Sequence, residues 1–416
     1  MKKIGMKDLS REQCISLLKK YKNPDNIIAH SMVVNEVSCF LAKKLILSGE
    51  TLDYDMVNFG SLLHDIDKFQ TLNTKNHAIL AKRWLDDMGL RDISKVVFSH
   101  KLGCVLHKKT YPKNWEEKII YYADKRVKYD MIVTLKDRFN YLRNRYGKLY
   151  PESMRKIDSA EPEAYKIEKE IFDTIGINPL RLKYNIEKER EDVTKLKKNT
   201  KAIVFDFWNT LAVNKGSKDY SMKMPVLLGI EKDKGWGRIM EEGLMLDRFD
   251  SRRDAFENLV KLIRKKKGRY DGKNIGHVIT LWDQMDKKLN LFDDSYSVLK
   301  RLKKKYKIGI ISNTQSFSIN CGKKIFDMAD EVSLSCDEHL LKPDKKIFER
   351  MVKKLGVKAR ETVMVGDNYH DDVLAANEAG YEPIQIRRNS SDLTHKETKF
   401  YKNLIISLHD LERIFL

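Results

Sequence analysis

The sequence has no apolar run long enough to cross a bilayer. Hydrophobic residues fill 42% of its 416 positions but come in short stretches broken by charge, whereas a spanning helix needs about 20 consecutive apolar residues. No membrane segment is expected. The opening Met1-Lys2-Lys3-Ile4 leads straight into polar sequence, without the apolar stretch of a secretory signal. Cysteine is also scarce. The five cysteines, Cys14, Cys39, Cys104, Cys321 and Cys336, are odd in number and lack paired close spacing, which argues against a disulfide framework and a thiolate zinc ribbon. A reducing, cytoplasmic setting is the expectation. No internal repeat or low-complexity segment interrupts the chain.

What is abundant is positive charge. With 80 Lys and Arg against 60 Asp and Glu, the formal net charge is +20, which favours attraction to polyanions. The lysines are spread through every segment, in runs such as Lys265-Lys266-Lys267, without the aromatic interleaving of a single-strand groove. They read as solvated helix faces.

The length suits two domains. Residues 1–182 read as successive amphipathic helices, which predicts an all-α domain. Residues 183–200 are mostly charged or polar and read as a linker or exposed helical spacer. From 201 to 416 the pattern changes. Ala202-Ile203-Val204-Phe205, Ile308-Gly309-Ile310-Ile311 and Thr362-Val363-Met364-Val365 are short apolar runs between polar turns and helical patterns, as in a parallel sheet covered on both faces. This half is expected to be a Rossmann-like α/β core, with an inserted α-helical cap at about 215–291.

In the first half, Asp25 can cap a helix in which Ile27, His30, Val34, Val37 and Leu41 share one face. His77 heads a stripe with Leu80, Ala81, Trp84 and Met88, His100 closes one with Ile93, Val96 and Val97, and Asp124 interrupts one formed by Ile120, Val127 and Met131. A carboxylate facing a core is costly unless a cation or a full set of hydrogen bonds compensates it. The adjacent His64-Asp65 follows Leu62-Leu63 near a helix end, where neighbouring side chains lie about 100° apart and can bend toward one ion. Imidazole with carboxylate suits Mn2+, Fe2+ or Zn2+.

The order His30, His64-Asp65, Ala123-Asp124-Lys125 resembles the HD superfamily of metal-dependent phosphohydrolases over about residues 7–175, with Asp67 standing where the His-Asp-Ile-Gly group has Gly. The resemblance implies that His30, His64, Asp65 and Asp124 hold one divalent ion and that His77 and His100 serve a second. Lys68, four residues after His64, is placed to neutralise a substrate phosphate.

In the second half, the apolar strand ending at Asp206 in Phe205-Asp206-Phe207-Trp208-Asn209-Thr210 puts a carboxylate at a strand's carboxyl end, where catalytic groups of doubly wound sheets sit. Ile310-Ile311-Ser312-Asn313-Thr314 places a hydroxyl at another strand end, Leu341-Lys342-Pro343-Asp344 supplies a cation, and Val365-Gly366-Asp367-Asn368-Tyr369-His370-Asp371-Asp372 is an acidic loop. These four segments in order resemble the haloacid dehalogenase-like hydrolases. The resemblance makes Asp206 the nucleophile that forms an aspartyl-phosphate, Ser312 a phosphate ligand and Lys342 the balancing cation. Asp206, Asp367, Asp372 and the backbone carbonyl of Trp208 would hold Mg2+.

Trp208 is a departure. Phosphatases of the family carry Asp there as general acid and base, and an indole cannot protonate a leaving group. His370 is one substitute acid, and haloacid dehalogenases, which carry an aromatic residue there, supply a minor alternative.

The sequence therefore predicts a bifunctional phosphohydrolase: one half hydrolysing a phosphomonoester or phosphodiester with one or two transition metals, the other a Mg2+-dependent phosphatase. Nucleotides are the expected small substrates. A nucleic-acid end-processing enzyme, or an HD hydrolase with a degenerate regulatory partner domain, are the alternatives.

Overall fold

The helix Asp25–Leu47 starts directly after Pro24, whose extended backbone sets its entry. Asp25 is thus the first helical residue and not the expected cap, and its carboxylate complements the partial positive charge of the first turn. Ile28, Val34, Val37, Leu41 and Leu45 of this helix are buried, so it runs through the core of the first half. The helix Tyr54–Leu63 is capped by Asp53, whose side chain accepts the Met56 N–H at 2.9 Å. It stops at Leu63, leaving His64 at its C-cap.

Helices Ile79–Asp87, Arg91–Ser99 and Trp115–Lys125 follow, and Pro151–Ile175 ends at Gly176 in the left-handed region, φ 66°. Phe59, Leu62, Leu63, Ile66, Leu85, Ile93 and Val97 pack into one apolar cluster. The all-helical expectation missed a small hairpin, β1 (Val127–Lys128) against β2 (Met131–Ile132), antiparallel, with Tyr129 in its turn at φ 56°.

The computed structural model describes all residues except 1–4, 7–8, 73–76, 148–149, 216, 231–234, 269–273, 318–321 and 389–402. The opening Met1–Ile4 and Cys321 lie outside the described residues, and Cys14, Cys39, Cys104 and Cys336 are free and buried. No helix of the described residues is long and apolar enough to cross a membrane.

The charged segment 183–200 is one helix, Leu182–Asn199, with only Leu182 and Ile186 buried. Tertiary contacts divide the chain into two units, with the division between Lys195 and Leu196, inside this helix. The residues His409–Ile414 belong to the first unit, although the sequence pattern placed them with the α/β half. The side chains explain this: His409 stacks edge-on against Phe59 at 5.0 Å between centroids, and the Tyr54 hydroxyl donates to Asp410 at 2.5 Å.

The second unit is built on β3 (Ala202–Phe205), β4 (Ala212–Asn214), β5 (Leu289–Leu291), β6 (Lys307–Ser312), β7 (Glu331–Leu334), β8 (Thr362–Gly366), β9 (Glu382–Ile386) and β10 (Leu404–Ile405). Six of these form a parallel sheet in the order β10-β9-β8-β3-β6-β7. The central β3 has β6 on one side and β8 on the other, so the chain winds outward in both directions from it. Such a switch point opens a crevice at the carboxyl ends of the strands. Val204, Ile311 and Met364 of the three central strands pack with Ile347, Phe348 and Met351 of the helix Lys345–Leu355.

The antiparallel pair β4 and β5 frames an insertion of four helices, Ser217–Leu227, Trp236–Met245, Arg252–Lys267 and Ile275–Asp286. These share a core of their own, including Tyr220, Met224, Trp236, Phe256, Leu259 and Trp282. Ser251 and Asp254 form a reciprocal capping box at the start of the third helix.

Candidate active sites

In the first unit, four imidazoles and two carboxylates from five segments converge. His30 Nε2 lies 3.1 Å from Asp124 Oδ1 and 4.0 Å from Asp65 Oδ2. His64 Nε2 lies 3.6 Å from Asp65 Oδ2 and 3.8 Å from Asp124 Oδ1. On the other side of Asp65, its Oδ1 is 3.1 Å from His77 Nε2 and 3.4 Å from His100 Nε2. Asp65 thus joins two groups, His30-His64-Asp65 and Asp65-His77-His100, each with its ligand atoms close enough to share a metal ion.

The outer nitrogen of each ring is held by an acceptor. Nδ1 of His30 meets the Tyr129 carbonyl at 2.7 Å, that of His64 the Ser61 carbonyl at 2.8 Å, that of His77 Asp67 Oδ1 at 2.9 Å and that of His100 the Val97 carbonyl at 2.5 Å. Carbonyl and carboxylate oxygens only accept, so each Nδ1 carries the proton and each Nε2 presents a lone pair inward. The His77 and His100 Nε2 atoms face each other at 3.0 Å, and the fully buried His64 Nε2 has no hydrogen-bond partner among the described residues. Converging lone pairs with outward anchors are the arrangement of metal-ligating imidazoles, so this donor set fits divalent ions.

The electrostatics agree for two of the rings. Burial pushes His64 down to about 3 and also lowers His100, which favours neutral rings, whereas at His77 burial is outweighed by Asp65 and Asp67, which raise it. Burial opposes the charge on Asp65, but Lys68, His64 and the neighbouring His100 and His77 outweigh it and hold the carboxyl well below its usual range. Lys68 Nζ sits 3.4 Å from Asp65 Oδ1 and 3.5 Å from His77 Nε2, at the mouth of the second group. Asp124 is bound through its other oxygen by the buried Lys125, which also donates to the His100 carbonyl at 2.9 Å.

In the second unit, Asp206 follows β3, and its N–H donates to the Val365 carbonyl at 2.8 Å. The buried ammonium of Lys342 bridges it to the acidic loop, at 2.6 Å from Asp206 Oδ1 and 2.5 Å from Asp372 Oδ1. Asn313, directly after β6, fixes the lysine backbone by accepting its N–H at 2.8 Å and donating to its carbonyl at 3.1 Å. Ser312 closes β6 with its hydroxyl buried and, among the described residues, without a partner.

Asp206, Asp367 and Asp372 bring ligand atoms close enough for one ion. Burial, with Lys342 opposing and the neighbouring acids reinforcing, raises Asp206 well above the carboxylate range, and burial with Asp372 raises Asp367 to about 7. Three acids, two of them buried and Asp367 half-buried, around one lysine are short of positive charge, which is the deficit a divalent cation corrects. Gly366 permits this crowding, since a Cβ there would collide with the Asp372 carboxyl. Asn209, in the left-handed region at φ 58°, hydrogen-bonds Asp367.

Residues 200–380 match the haloacid dehalogenase-like hydrolase family. The chain is 34% identical over 115 residues to glyceraldehyde 3-phosphate phosphatase of Methanothermobacter thermautotrophicus, a match covering 26% of this chain and 49% of that protein. It is 28% identical over 128 residues to pyrophosphatase PpaX of Bacillus mycoides, covering 28% of this chain and 59% of that one. The matched part therefore spans only about half the length of such relatives. Among solved structures, a HAD phosphatase from Thermococcus onnurineus aligns over 52% of this chain and 97% of its own, with 27% identity and a TM-score of 0.36.

In this α/β unit the indole of Trp208 turns to the β6 side, donating from Nε1 to Thr314 Oγ1 at 3.1 Å. His370, the substitute acid suggested by sequence, is exposed. A cavity of about 370 Å³ opens over Asp206, lined on the core side by Asn313, Lys342 and Asp367 and on the cap side by Tyr220, Met240 and Trp282. Sequence reasoning passed over Asp67, Asn209 and Asn313, which orient functional groups without carrying the chemistry themselves. Asn313 stood beside Ser312 in the motif, whereas nothing local tied Asp67 to His77.

Proposed function

We propose that the chain is a bifunctional phosphohydrolase. The α/β unit acts on a phosphomonoester: an Asp206 oxygen bonds to phosphorus as the bond to the leaving oxygen breaks, and water then cleaves the aspartyl-phosphate to release inorganic phosphate. Lys342 holds Asp206 in position and offsets the charge that gathers there, while Ser312 offers its buried hydroxyl to a phosphate oxygen. Mg2+ held by Asp206, Asp367, Asp372 and the Trp208 carbonyl would neutralise the phosphoryl oxygens. Trp208 donates no proton to the leaving group, so good leaving groups are favoured. The observation that carries this reading is the Lys342 bridge between Asp206 and Asp372.

The first unit is proposed to hydrolyse phosphorus-oxygen bonds at its His and Asp centre. The carrying observation is the convergence of four outward-anchored imidazoles on Asp65 and Asp124. Divalent transition metals there would activate water and polarise the phosphorus, and Lys68 would pair with a phosphate oxygen.

The two activities separate by mutation of the full chain. Mg2+-dependent turnover of an aryl phosphate should vanish in Asp206→Asn and persist in a His64→Ala/Asp65→Ala variant. Mn2+-dependent hydrolysis of bis(p-nitrophenyl) phosphate, with bound metal measured by elemental analysis, should show the reverse. Survival of either activity in the variant aimed at it would reject that half of the reading.

A further inference from the structure

The His and Asp centre of the first unit is bordered by an aromatic and cationic rim that local sequence did not reveal. Tyr129 lies in the left-handed turn between β1 and β2, and its carbonyl is the acceptor that anchors His30. Its ring, about half exposed, meets Tyr141 edge-on at 5.6 Å between centroids. Lys128 Nζ lies 4.8 Å from the Tyr141 ring centre, Arg138 5.6 Å and Arg145 5.7 Å. Arg145 also donates to the Tyr141 hydroxyl and lies 5.3 Å from the exposed Tyr146 ring.

One contact ties this rim to the centre itself: Arg138 reaches Asp124 Oδ1 at 3.9 Å, with its own Nε buried and, among the described residues, unpartnered. Exposed rings beside cations are what successive nucleobases and phosphates require: stacking on the ring faces and ion pairing along the backbone. Three tyrosines and three cations besides Lys68 exceed what one base and one phosphate can engage.

We propose that Tyr129, Tyr141 and Tyr146, with Lys128, Arg138 and Arg145, form a subsite that receives a single-stranded oligonucleotide whose phosphate ester lies at the His and Asp centre. This rests on the hydrolytic reading of that centre for its purpose, while the binding itself is independent of catalysis.

The test uses the full chain in EDTA, which stops hydrolysis, and a tetranucleotide carrying 2-aminopurine, whose fluorescence is quenched by stacking. Binding should quench the probe and weaken steeply with salt. Tyr141→Ala and Tyr146→Ala should each weaken it about tenfold, the order of one lost stacking ring, while Tyr141→Phe retains it. Thermal unfolding of each variant separates lost contacts from lost fold. Absence of quenching, quenching indifferent to both alanine variants, or equal affinity for 2-aminopurine mononucleotide would each overturn the proposal. Mn2+-dependent diesterase activity without quenching would remove only the subsite; quenching without that activity would remove only the hydrolytic reading.

Discussion

The carboxylate of Asp67 accepts the Nδ1 proton of His77 at 2.9 Å and, through its other oxygen, the backbone N–H of Ala81 at 3.0 Å. Fully buried, it clamps the residue that carries Nε2 to Asp65 onto the start of the helix Ile79–Asp87. An acidic residue is therefore suited to a position where the resembling motif has glycine.

Asp67→Gly should release the His77 ring without touching any other ligand. Outer carboxylates of this kind are worth roughly 10- to 100-fold in metal affinity. The expected result is loss of that order at the Asp65-His77-His100 site alone, read as a change in one of the two phases of a Mn2+ titration. Equal weakening of both phases would show that Asp67 supports the general fold and not His77.

By the sequence resemblance Trp208 takes the place of a proton donor, and its indole donates to Thr314. A substituted Trp208→Asp should speed turnover of alkyl phosphates, whose leaving oxygens need a proton, by on the order of 10-fold or more, since positioned general acids contribute about 10²–10⁴-fold. Turnover of p-nitrophenyl phosphate, whose leaving group departs unprotonated, should change little. A uniform change in kcat across both substrates would mean that the indole governs something other than protonation.

Lys342 is buried between two carboxylates, with Asp367 close by. Removing one partner of such a buried cluster costs about 3–5 kcal/mol, so Lys342→Met should lower the melting temperature in EDTA. The variant's site is more negative, so added Mg2+ should raise its melting temperature more than it raises that of the parent, by ligand linkage. A smaller Mg2+ gain in the variant would mean that the lysine, and not the acids, organises the ion's site.

Much of each candidate site was legible because its residues sit at points of strong local grammar. Asp206 ends an apolar strand, Lys342 precedes a proline, and His64-Asp65 closes an apolar helix face. Strands β3, β6 and β8 were visible as buried apolar runs, whereas β7, with Glu331 and Val332 half-buried, and the two-residue β10 carry little pattern. The rim was hidden for another reason. Lys128, Tyr129, Arg138, Tyr141 and Arg145 are spread over a hairpin, a helix and the π-turn Arg143–Gly147, and only tertiary structure gathers them. The same holds for His409–Ile414, whose charged residues gave no sign of burial in the helical unit.

That last segment yields a direct stability test. Asp410 receives the Tyr54 hydroxyl at 2.5 Å and lies 3.8 Å from Arg413, and it is almost fully buried. On the same helix, Glu412 accepts the Arg11 N–H at 3.1 Å, and Arg11 in turn donates to Asn35 at 2.7 Å. Asn35 donates to Ser61 Oγ at 3.0 Å, and the Ser61 carbonyl is the anchor of His64. Asp410→Ala strips a buried phenol of its acceptor and a guanidinium of a nearby opposite charge, a loss of about 3 kcal/mol. The helical unit should melt earlier, while the α/β unit, followed by its proposed Mg2+-dependent phosphatase activity, is retained through that first transition. A single transition shifted as a whole would show instead that the two units unfold together.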